Sequence, residues 1–433
     1  MDIKKYEDKL NDENIKIRLL NLQNITEFIK KGLITRNAEA SNVNNHIHTS
    51  YSFSPYSPTK ALWMAYKAGL ETAGIMDHDS LSGAREFIRA GEILNMPVTI
   101  GAEIRVNMKD THLKGRRINN TDQNSIAYMT LHGIPHTKID TINDFLSPYR
   151  EKRNIRNKKM LNKINEITEK HGISIDFDKD VYTISKASEG GSITERHILF
   201  ALSKKIADKF GYGKGTCDFL TKKLKIKVSD KNIEYLSKSA NPYYLYDLLG
   251  ALKSNMVSMF YIDAKEECLN VKEAINIAKE TGAISAYAYL GDVGNSATGD
   301  KKPQKFEDDY IEELFLTLSN LGFNAVTYMP ARNTLQQLLK VKKLCKKHSL
   351  FEISGEDINS PRQKFICEAL KKEEFKNLID STWALIGHEL AGTKNIEDTM
   401  FSQKTINKYS ILFDRIKVYS IMGKMLTGRD VKC

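Results

Sequence analysis

Apolar residues near the start of the chain recur at helical spacing. Leu19, Leu20, Leu22, Ile25 and Ile29, set among mixed charges, predict a helical extension over residues 1–40. From Ser41 the pattern changes to short apolar runs alternating with amphipathic stretches. Strands are predicted at 43–48, 72–76 and 97–104, with helices between them. Ser57-Pro58 opens the first of these helices, serine as N-cap and proline in the first turn, and Gly69 closes it. The alternation breaks after Val106 into a polar, loop-like stretch, and 127–131 offers one more strand. Residues 141–253 read as mostly helical. Strands then return at 283–290, 324–329 and 350–354, with helices at 308–321 and 334–348. A strand–helix repeat interrupted by a helical block predicts a parallel α/β barrel, 41–140 and 254–433, with an inserted subdomain at 141–253.

Composition narrows the class. With 41% hydrophobic residues in 433, the chain can bury a sizeable core, which excludes global disorder. The longest candidate membrane segment, 243–262, carries Asp247 and Lys253 and reads as a buried helix, so no membrane association is expected. Five scattered cysteines form no C-x-x-C pair and read as buried small hydrophobes. Together with a charged N-terminus, they place the protein in a reducing cytoplasm. Charge adds a direction: 65 basic against 54 acidic residues give +11. The excess is uneven: 149–170 holds Arg150, Lys152, Arg153, Arg156, Lys158, Lys159, Lys163 and Lys170 against three glutamates, and 204–231 is also lysine-rich. That excess is either a field that draws in an anionic, phosphorylated substrate or short nucleic acid, or the solvated face of ordinary helices.

Candidate chemistry sits at the strand ends. His46 and His48 are two apart on the first strand, so both imidazoles point to one face. Asp77, His78 and Asp79 follow the second strand and Glu103 ends the third. His132 and Asp357 each follow a later one. In a parallel barrel the carboxyl ends of the strands share one face, so these groups would converge. Mixed imidazole and carboxylate donors suit zinc, manganese or iron. Arg196 can clamp a phosphate bidentately or form a surface salt bridge, and Arg332 is the next candidate. His112, His136, His171, His348 and His388 have no motif around them and read as structural or surface residues.

The motifs His46-Ile47-His48-Thr49, Asp77-His78-Asp79, Gly101-Ala102-Glu103-Ile104, the lone His132, Thr194–Ile198 and Ser354–Asn359 resemble, in order and spacing, the polymerase and histidinol phosphatase (PHP) superfamily. That resemblance implies a distorted (β/α)7 TIM-like barrel holding up to three divalent ions. It implies that His46, His48, Glu103 and Asp357 surround one ion. Glu103 would bridge to a second at His132, and His78 and His197 would serve a third. Asp77, Glu103 and Arg196 would take catalytic roles.

Three departures from that pattern are present, and the first two weaken the third position. Residues 52–56 hold no carboxylate where an aspartate is usual, Asn359 stands where histidine is usual, and Tyr289 lies in place of an A-H-P element. Two ions are therefore expected, and Tyr289 could hydrogen-bond a phosphate. The expected activity is hydrolysis of a phosphate ester by metal-activated water. The alternatives are an exonuclease-type hydrolase of short oligonucleotides or nucleoside bisphosphates, and a catalytically weakened binding module.

Overall fold

The computed structural model of the chain describes residues 3–293 and 305–430. Among them one sheet contains β1 (Glu39–Ile47), β2 (Leu70–His78), β3 (Val98–Asn107), β4 (Ile126–His132), β5 (Leu269–Asn270), β6 (Ile284–Ala288), β7 (Ala325–Tyr328) and β8 (Phe351–Ser354). Its order is β1-β2-β3-β4-β6-β7-β8, and the short β5 pairs with the end of β3. A parallel bridge between Ile47 and Ile358 brings the two edges together. The His48 amide donates to the Ile358 carbonyl at 2.9 Å, and the Ile358 amide to the His46 carbonyl at 3.1 Å. The result is a nearly closed seven-strand barrel.

Local chemistry explains the first strand–helix unit. The Ser57 hydroxyl caps the helix Pro58–Ala68 by accepting from the Lys60 amide. Gly69 ends it with φ +91°, where a Cβ would lie 2.5 Å from the Asn37 carbonyl oxygen, so this turn requires glycine.

β4 departs from the expected parallel order. It runs antiparallel to both β3 and β6. The chain between β3 and β4 contains no crossover helix, the connection on which a parallel return usually depends. His132, at the end of β4, therefore enters from the far end of the barrel. Glu103 is also not terminal, since β3 continues to Asn107.

Residues such as Ile75, Ile100, Ile104, Leu131 and Tyr287 pack the outer face of the sheet against the surrounding helices in one hydrophobic core. Leu22 and Ile25 of the N-terminal helix Ile15–Lys30 join that same core. Below the barrel, the helix Asn377–Lys394 plugs the end where β3 begins. Its Glu389 carboxylate accepts from the Thr99 hydroxyl (2.6 Å) and the Ile100 amide (2.8 Å).

A second core unites the helices Ile139–Thr168, Glu195–Phe210 and Tyr244–Phe260 through Met160, Ile164, Leu202, Leu248 and Leu252. Phe53, from the loop after β1, inserts into it. Ion pairs tie this helical block to the barrel: a buried one, Arg153 on Asp79 at 2.6 Å, and one between the exposed Arg362 and Asp247 at 2.7 Å. No helix among the described residues is long and apolar enough to cross a membrane. Cys268, Cys345 and Cys367 are buried and Cys217 partly so, while Cys433 lies outside the described residues.

Candidate metal centre

The strand registers build the centre. β1 and the residue that follows it place His46 and His48 on the inner face two residues apart. The β2–β3 pairing sets His78 beside Glu103, and β3–β4 sets Glu103 beside Thr130 and Gly101 beside His132. His78 and Glu103 thus share a layer inside the barrel, and His132 lies one layer deeper.

Glu103 is the hub. Its Oε2 lies 3.1 Å from His78 Nδ1, 3.6 Å from His46 Nε2 and 3.7 Å from His48 Nε2. One ligand atom from each of His46, His48 and Glu103 falls within 4.8 Å of the others. Asp357 Oδ1 approaches His48 Nε2 to 3.2 Å and accepts from the Asn359 amide at 2.6 Å. His46 Nε2, His48 Nε2 and His132 Nε2 are all buried without a hydrogen-bond partner. Buried polar atoms are ordinarily satisfied, so the orphaned nitrogens of His46 and His48 beside the Glu103 carboxylate fit a divalent cation.

The electrostatics agree. Burial alone would raise the Glu103 carboxyl, but His78, His46 and His48 outweigh it and bring it down to about 2. Asp357 is likewise held well below the carboxylate range by His48, against its burial. Burial keeps His78 and His132 neutral, each pushed down to about 3. Burial disfavours a charged His48, but Asp357, Glu103 and Asp77 outweigh it and raise its pKa, so those carboxylates favour a positive charge at that position. Neutral imidazoles and ionised carboxylates are the forms that bind metal.

The remaining expected residues fall elsewhere. Asp77 faces away from the cavity and is saturated by the Thr49 amide (2.7 Å), the Thr49 hydroxyl (2.6 Å) and the Ser52 hydroxyl (2.6 Å). It organises the loop after β1 and touches no reacting position, because neighbouring strand residues point to opposite faces. Ser52 Oγ also lies 3.2 Å from His48 Nδ1, which fixes that ring with Nε2 toward Glu103. The sequence places Thr49 in the first motif and Ser52 just after it but gives neither a role. Their signal was two hydroxyls close behind a paired-histidine motif.

His197 lies apart from the cluster. Its Nδ1 accepts the Thr194 amide at 3.1 Å and so caps the helix Glu195–Phe210. A neutral imidazole that accepts at Nδ1 carries its proton on Nε2, which leaves no lone pair there for a metal. The Tyr289 hydroxyl is engaged by Asp308 at 2.6 Å, so it is not presented to a phosphate.

Above the centre is a cavity of about 630 Å³. His46, His78, Glu103, Arg196, Asp357 and Asn359 line one end. Lys253, Ser254, Val257, Ser258 and Tyr261, along one face of a single helix and its C-cap, also line the cavity, as does Arg332. Arg196 is close enough to Asp357 to help hold its carboxyl ionised.

Comparison with known proteins agrees with this architecture. The fold is similar to the crystal structure of a protein from Bifidobacterium adolescentis ATCC 15703 described as a candidate metal-dependent phosphoesterase. The TM-score is 0.50 at 18% identity, over 78% of this chain and 96% of that one. An amidohydrolase from Chromobacterium violaceum, solved with bound sulfate and no metal, aligns with a TM-score of 0.49 at 18% identity, over 76% of this chain and 90% of that one. No curated protein matches the sequence. Residues 44–185 match the family described as PHP domain, a span that includes His46, His48, His78, Glu103 and His132.

Proposed function

We propose that the chain is a metal-dependent phosphoesterase acting on a small organic phosphate ester. The observation that supports this most directly is the convergence of His46, His48 and Glu103 at the floor of a cavity with Arg196 on its wall. His46, His48, Glu103 and Asp357 would hold one divalent ion, and Glu103 with His132 would hold a second. The donor set suits zinc, manganese or iron. When bound, such ions lower the pKa of water and neutralise phosphate oxygens.

The chain's own residues supply the rest. Asn359 fixes Asp357 through its amide. Arg196 offers two parallel N–H donors to the phosphate. The cavity falls in the size range of small-molecule sites, and the helix face at Lys253–Tyr261 would receive the leaving group.

Two variants test this reading. Glu103→Gln keeps the shape but removes the charge, so bound metal and hydrolysis of p-nitrophenyl phosphate should fall together. Arg196→Ala should keep its metal while losing roughly 1.5–3 kcal/mol of substrate binding, the worth of a hydrogen bond to a charged group, seen as a raised KM. A Glu103→Gln protein with full metal content and full turnover overturns the proposal.

The basic excess of 141–253 favours a second reading, a hydrolase of short oligonucleotides. Binding that weakens steeply with salt would mark it.

A further inference from the structure

Phe53 occupies an unusual position. Its φ is +113°, in a region that bulky L-residues rarely adopt. Strain of this kind persists only where surrounding contacts over-determine it. Here those contacts are aromatic. The Phe53 ring meets His197 edge-on with centroids 5.0 Å apart, and lies 5.7 Å from Phe200 and 6.0 Å from Tyr246. Phe200 and Tyr246 also pack on each other at 5.1 Å. Phe53 is 7% exposed and belongs to the core of the helical block, not to that of the barrel.

Its chain neighbour faces the other way. Ser52 sits between His48 Nδ1 and the Asp77 carboxylate, at 3.2 Å and 2.6 Å. The amides of Ser52 and Phe53 both donate to the Thr49 carbonyl, at 3.1 Å and 3.2 Å, which makes residues 49–53 one tight turn. A second strap holds the same loop, where the Ser192 amide of the block donates to the Tyr51 carbonyl at 2.7 Å. Movement of Phe53 out of its aromatic socket would therefore rotate Ser52 and release the His48 ring.

We infer that Phe53 is a positioning residue through which docking of the helical block orients His48 for metal. Phe53 does not touch the candidate ligands. It acts through Ser52, by fixing which imidazole nitrogen faces Glu103 and Asp357. The inference rests on the metal-centre reading given above, and the test separates the two.

The experiment titrates the full-length, metal-stripped protein with Co²⁺, following both the heat of binding and the d–d absorption of the bound ion. Wild type should bind and give a low-symmetry spectrum. Phe53→Ala, and independently Phe200→Ala on the block side of the contact, should weaken Co²⁺ about tenfold or more and alter the spectrum, the scale of losing an outer-shell partner. Phe53→Leu, which refills the socket, should recover most of the affinity. A structural role alone would lower the melting temperature of these variants without changing the affinity or spectrum of the folded protein, and that result overturns the inference. If wild type itself binds no Co²⁺, the metal-centre reading fails and the inference fails with it. If Phe53→Ala does not fold, Phe200→Ala and Phe53→Leu still decide the question.

Discussion

Asp77, His78 and Asp79 are consecutive, yet each does a different job because β2 alternates and then ends. Asp77 points out and gathers Thr49 and Ser52. His78 points in, against Glu103. Asp79, at φ +49°, turns its carboxylate to Arg153 of the helical block. His197 shows the same dependence on local geometry. Its proton placement makes it a helix cap, so His197→Gln, which keeps an acceptor at the third helical position, should leave the number of ions bound at saturation unchanged. Its cost in stability should be on the order of 1 kcal/mol, the scale of a capping interaction. His46→Gln should instead lower the bound-ion count. Metal analysis of the two purified variants after saturation and desalting checks the contrast.

The helix Asn377–Lys394 is buried along most of its length, and a polar contact pins it to the barrel floor. Glu389, fully buried, joins Thr99 and Ile100 of β3 to His136, whose Nε2 lies 2.9 Å from its carboxylate. Burial disfavours a charged His136, but the Glu389 contact outweighs it, and the imidazole pKa is raised. A group whose pKa is higher folded than unfolded stabilises fully below the unfolded value. It loses that contribution as pH rises through the folded one. Thermal stability should therefore fall as pH climbs above about 6.5, the unfolded histidine value. His136→Gln, which offers Glu389 an amide donor at every pH, should flatten that slope. Melting temperatures of both proteins from pH 5.5 to 8.5 provide the check, and parallel curves would remove His136 as the cause.

Taken together, the barrel, the helical block and the N-terminal helix share buried polar joints. Arg18 of the N-terminal helix is 1% exposed and pairs with Glu86, which also accepts from the Thr59 hydroxyl at 2.6 Å. Removing one partner strands a buried charge. Glu86→Ala should cost about 3–5 kcal/mol in a urea unfolding experiment. The double variant Arg18→Met/Glu86→Leu should cost much less, because no charge remains unpaired. Equal losses in the two proteins would mean that packing, not charge, holds this helix.

Much of this was legible in the chain itself. The short apolar runs marked β1, β2 and β3. Ser57-Pro58 and Gly69 marked a helix, and His46, His48 and Glu103 stood at inward positions whatever the barrel's details. These features are local, fixed by strand alternation and capping chemistry within a few residues. The direction of β4, the depth of His132, the outward turn of Asp77 and the capping role of His197 were not legible. Each depends on which strand lies beside which, or on where a ring nitrogen finds its partner. Phe53 is the clearest case. Its sequence neighbours are polar and small, and only the arrival of a helical block more than a hundred residues later gives its ring a place to go. Contacts between segments so far apart are set by the packing of complete elements, which no short window of sequence contains.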